Sequence, residues 1–137
     1  PIELTYGLSC PSLFRHIDKR IYPPRDQHAS YELNNNGNLV CPRGGAAADF
    51  RCSNISSLHI AQWTVKNCPF DRFYFYGIDR PIHVSIGPDK SSQITLMQFS
   101  ATPDRRIPRN ISIEDFLGLN EEDHLVVNCS VKNGKIA

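Results

Sequence analysis

The five histidines, His16, His28, His59, His83 and His124, are the side chains here best suited to move protons near neutral pH. None sits in an H-E-x-x-H pair, and the chain has no G-x-S-x-G elbow, P-loop, G-x-G-x-x-G turn or EF-hand loop. That spacing excludes the familiar zinc peptidases, serine hydrolases and nucleotide-binding enzymes. It leaves metal-independent acid–base chemistry, which needs two proton-transfer groups and a cation to hold a phosphate. His28, Glu32, Arg80 and His83 are the set that would supply it. No C-x-x-C pair is present, so no structural metal and no cofactor is expected.

A second kind of chemistry is recognition. In DRFYFYGID, strand periodicity puts Phe73 and Phe75 on one face and Arg72, Tyr74 and Tyr76 on the other. With the phenylalanines in a core, the opposite face presents a row of the residue types enriched at binding hot spots. A cationic loop at Arg105, Arg106 and Arg109 would steer an acidic partner towards it. The partner expected is a protein or a carbohydrate.

Five cysteines and three N-x-S/T sequons, at Asn54, Asn110 and Asn128, point to an oxidising, secretory setting. The expected bridges are Cys10–Cys129 and a second using two of Cys41, Cys52 and Cys68, with Cys52 and Cys68 the nominated pair. Each would add about 3–5 kcal/mol by restricting the unfolded chain. Cys129 and Asn128 are neighbours yet compatible, since alternate strand positions face opposite sides. The start at Pro1 fits a processed N-terminus.

At 137 residues, with 40% hydrophobic and 21% charged content, the chain reads as one globular domain, 1–137. A net charge of +1 excludes a strongly basic nucleic-acid binder on composition, and no apolar run reaches the ~20 residues that span a bilayer. RNA enters as a partner only under the ribonuclease reading.

These side chains need elements to hold them. IELTYGL alternates as a first strand, and Leu13, Phe14, Ile17 and Ile21 mark a short helix ended by Pro23 and Pro24. SYELNNNGNLVC reads as a hairpin, PRGGAAAD as a loop, and SLHIAQWTV as a strand. DRFYFYGID, PIHVSI and QITLMQF are strands, the last central; ATPDRRIPRN is a loop. Ser112 caps a helix at Ile113–Leu117 closed by Gly118, and DHLVVNCSVKNG is a final strand and turn. The fold class is α+β, mainly β: an antiparallel sandwich or barrel of seven or eight strands with two short helices, stapled by disulfides.

The early helix, following antiparallel sheet and terminal bridge resemble the layout of the fungal ribonuclease T1-like family. That resemblance implies a secreted, metal-independent ribonuclease or an inactive descendant, with His28, Glu32, Arg80 and His83 at its site. RRIPRNISIEDFLGLNEEDHLVV is similar to the β–turn–helix–β hairpin of AbrB/MazE-type proteins in Arg105, Arg106, Pro108, Leu117–Leu119 and Asp123. This second likeness implies phosphate contacts by Arg105, Arg106 and Arg109. In general character the chain is similar to small secreted effectors, toxins and extracellular ligands. A secreted binding protein recognising a host or cell-surface protein or glycan is therefore the leading expectation.

Overall fold

A computed structural model describes residues 1–7, 26–101 and 105–123. Its elements are β1 (Ile2–Tyr6), a single 3-10 turn (Gln27–Ala29), β2 (Ala46–Cys52), α1 (Ser57–Asn67), β3 (Arg72–Phe75), β4 (Ile82–Ile86), β5 (Gln93–Phe99), β6 (Arg106–Ile111) and α2 (Ile113–Leu117). The strands form one six-stranded sheet in the order β1-β2-β4-β3-β5-β6. All neighbours are antiparallel except β3 and β5, which run parallel.

This corrects the expected architecture. The protein is mainly β with two described helices, but the sheet is mixed and does not close into a barrel. The described residues supply six strands. The early helix and the final strand from His124 onward lie outside the described residues.

SLHIAQWTV, expected as a strand, is helix α1. Ser56 caps it by accepting from the Leu58 amide, satisfying one of the orphan donors of a first turn. Leu58, Ala61, Thr64 and Val65 then fall on a single buried face at helical spacing. With Phe116 of α2 they cover Phe73, Phe75, Ile82, Ile94 and Leu96 of the central strands, and this is the core.

Two segments expected as loops are strands. PRGGAAAD feeds β2, an interior strand between β1 and β4. At Gly45 (φ 89°) a Cβ would stand 1.9 Å from the Ile86 carbonyl oxygen, so only glycine lets the chain enter β2 so close to the end of β4. ATPDRRIPRN contains the start of β6, where Pro108 lies opposite Met97. Proline cannot donate to a ladder, and β6 tolerates it because it is an edge strand among the described residues. The expected hairpin is present as a single Leu33–Leu39 bridge, its turn held by Asn34 Oδ1 accepting from the amides of Asn36 and Asn38.

No disulfide forms among the described residues: Cys41, Cys52 and Cys68 are free thiols, against the expected Cys52–Cys68 bridge. Cys52 ends β2 and Cys68 caps α1, so they line one groove from different elements. Cys10 and Cys129 lie outside the described residues. Among those residues, no helix is long and apolar enough to cross a membrane.

Candidate functional site

The sheet face turned away from α1 and α2 carries the polar groups. Register places Asp49 of β2 beside His83 of β4, and His83 beside Tyr74 of β3. Tyr6 joins them through an irregularity in β1. Leu4 pairs with Phe50 but Tyr6 pairs with Asp49, one residue later on β2 than the Ala48 that regular pairing would give. Such a bulge turns a side chain to the other face, and here it brings Tyr6 edge-on to His28 with ring centroids 4.4 Å apart.

His28 arrives from the 3-10 turn, where Asp26 Oδ1 accepts from the His28 amide. Its ring lies between two acceptors: the Gly7 carbonyl, 2.6 Å from Nδ1, and Asp49 Oδ1, 3.1 Å from Nε2. A carbonyl can only accept, and so can an ionised carboxylate, so His28 is placed to donate from both ring nitrogens, an arrangement that favours the imidazolium. Burial alone would lower its pKa. The hydrogen bond and charge of Asp49, the charge of Asp26 and the Gly7 carbonyl outweigh that and raise it.

His83 donates from Nδ1 to the same oxygen, Asp49 Oδ1, at 2.7 Å. Its ring stacks on Tyr74 at 4.8 Å and meets His28 edge-on at 5.0 Å. Burial tends to raise the Asp49 pKa, but hydrogen bonds from His28 and His83 and their charges hold it below the usual carboxylate range. Both rings are nearly enclosed, at 3% and 7% exposure, while the Asp49 side chain keeps 29%. Among the described residues, Asp49 Oδ2 and His83 Nε2 have no hydrogen-bond partner, so the cluster retains two open acceptor positions.

The fold thus unites His28 with His83 and adds Asp49, which the sequence reading missed. Glu32 and Arg80 do not join them. Among the described residues neither makes a hydrogen bond or ion pair with the imidazoles, and buried Glu32 Oε1 and Arg80 Nε find no partner at all. His59 is exposed beside Glu121 at 4.0 Å; His16 and His124 lie outside the described residues.

The expected binding row holds its register but not its exposure. Arg72 and Tyr74 share the polar face and are half-buried. Burial, with the charges of Asp49 and Asp26 and the neighbouring Tyr74, drives the Tyr76 phenol far above its ordinary pKa, so it stays neutral. Arg106 stacks over Phe99 at 3.9 Å and donates to the Tyr76 carbonyl at 2.8 Å. Arg106 and Arg109 lie on opposite faces of β6, while exposed Arg105 precedes it, so the three do not make one patch. Asn54 and Asn110 are exposed; Asn128 is outside the described residues.

A second feature lies on the helix side of the sheet. α1 and α2 cover the central strands and reach β2, but leave β1 and the end of β4 open. A groove of about 640 Å³ remains there, floored by Phe50, Cys52 and Val84 and walled by Ile60, Trp63 and Ile86. Its rim is unusually apolar for a surface: Ile2 is 73% exposed, Trp63 63%, Ile86 56% and Ile55 54%. Periodicity could have found it, since Trp63 falls outside the buried Leu58–Ala61–Val65 stripe of α1.

No known protein family, curated protein or solved structure matches this chain.

Proposed function

We propose that this protein acts by binding, and that its recognition surface is the apolar groove between α1 and β1–β2–β4, which receives an extended, apolar segment of a partner protein. The observation that carries this reading is the exposed lining itself, four large side chains more than half open to water around one cavity. Only His59, Thr64 and two thiols interrupt the apolar wall. A glycan needs arrays of hydrogen bonds, so the lining favours protein over carbohydrate. Beside the groove runs β1, an edge strand among the described residues, whose outward amides and carbonyls can pair with an added strand. Secretion and glycosylation belong to the same proposal, supported by the exposed positions of Asn54 and Asn110.

Trp63 is the natural anchor, because large aromatics in desolvated pockets dominate interface energies. The probe is a synthetic strand-forming peptide of alternating Val and Thr, titrated by fluorescence. Trp63→Ala is expected to weaken its affinity by about 30-fold, equivalent to about 2 kcal/mol, without lowering the melting temperature. Unchanged affinity overturns the reading, as does binding of a fatty acid in preference to the peptide.

The meeting of His28 with His83 favours one second reading, the small ribonuclease. His83 Nε2 would be its general base, with Asp49 fixing the tautomer. Metal-free cleavage of RNA, lost in a His28→Ala, His83→Ala double variant, would establish it; no cleavage by the native protein would remove it.

A further inference from the structure

We propose that His28, Asp49 and His83 form a binding site for one divalent transition-metal ion of the zinc or cobalt type, with an open position for water or an anionic ligand. Each residue offers one ligand atom, and the three atoms lie within 4.8 Å of one another. A tetrahedral ion with bonds of about 2.0–2.1 Å spaces its ligands roughly 3.3 Å apart. The present His28–Asp49 and His83–Asp49 separations are 3.1 and 2.7 Å and no two ligand atoms are more than 4.8 Å apart, so an ion is admitted by adjusting the two rings around Asp49. Two imidazoles and a carboxylate are a donor set that zinc uses where it keeps a coordination position free.

Two further observations point to a ligand. Nδ1 of His28 is anchored on the Gly7 carbonyl, which aims Nε2 at the cluster; metal-bound histidines are oriented by such outer partners. Asp49 Oδ2 is unpaired while its side chain is 29% exposed, giving an entry path. The groups packed around the cluster are Asp26, which adds negative charge, and the rings of Tyr6 and Tyr74. Among the described residues no lysine or arginine ion-pairs with Asp49.

The proton balance follows from the hydrogen bonds. Coordination needs lone pairs on His28 Nε2 and His83 Nδ1, both now protonated. His28 loses its Nε2 proton to solvent and keeps the Nδ1 proton on Gly7. His83 must likewise present Nδ1 without its proton. Binding therefore displaces protons from the rings.

The test is calorimetric titration of the chelator-treated protein with Zn(II) in two buffers of different ionisation enthalpy, alongside Co(II) absorption spectra. One ion per chain is expected, with proton release, and a tetrahedral cobalt spectrum lacking a thiolate charge-transfer band. Asp49→Asn and His28→Ala should each weaken binding by about 100-fold or more, a loss that even outer partners of metal ligands reach. His59→Ala should leave it unchanged. Because Asp49 also supports the fold, imidazole nitrogen NMR of the native protein provides a readout free of substitutions. Zn(II) should shift His28 Nε2 and His83 Nδ1, and leave His59 in place. A thiolate band, an unshifted His28–His83 pair or affinity indifferent to these substitutions would overturn the site.

Discussion

In metal-free solution near pH 6, Asp49→Asn is expected to cost about 3 kcal/mol or more, because one carboxylate oxygen holds two buried imidazoles. That corresponds to a fall in melting temperature of roughly 10 °C for a domain of this size. Asparagine keeps the shape but removes the charge that compensates a cation buried at 3% exposure. The effect has a defined pH dependence. His28 is raised from 6.5, so its contribution is complete below that value and fades as pH rises through the folded value. Asp49 is lowered from 3.8, so its contribution is complete above that value and fades as pH falls through its depressed folded value. Stabilisation from the pair is therefore greatest between 3.8 and 6.5. Urea unfolding across pH, with chelator present, should show this plateau in the native chain and a flatter profile in the variant. Equal profiles would mean that the two imidazoles do not rely on Asp49.

Phe116→Ala should be comparably severe, about 3–5 kcal/mol, through a cavity at the centre of the core. A helix of five residues has no stability of its own in water. α2 is held by Phe116, fully buried against Phe73 and Phe75 at 6.0 and 5.7 Å, and by Gln62 of α1, which donates to the Phe116 and Leu119 carbonyls. Losing the ring leaves a void and frees the helix to detach. Leu117→Ala, on the 36% exposed side, is expected to cost less than about 1 kcal/mol. Chemical unfolding of both variants checks the contrast, and similar losses would show that α2 is not docked through Phe116.

How far these features are legible in the chain differs by element. β3, β4 and β5 announce themselves by β-branched and aromatic runs, and α2 by its Ser112 cap and Gly118 close. In α1 the apolar residues satisfy both periods: Leu58 and Ile60 alternate as in a strand, while Leu58, Ala61 and Val65 repeat as in a helix. Tertiary packing and the Ser56 cap decide for the helix. β2 is hidden because alanine and glycine have weak strand preference, and pairing on both sides supplies what propensity does not. Asp49 was invisible for the same reason. His28 and His83 stand out by type, but their partner emerges only once β2 is a strand in register with β4.

The polar face and the apolar groove lie on opposite sides of the same strands, so β2 and β4 serve both. Asp49 and His83 point one way, Phe50 and Val84 the other.

Hydrogen–deuterium exchange at β1, with and without the alternating Val/Thr peptide, tests the binding account most directly. Slower exchange at the outward-pointing amides among Ile2–Tyr6, together with protection of the Trp63 indole, is the result predicted. Saturation by peptide with β1 and Trp63 exchanging as in the free protein would contradict it.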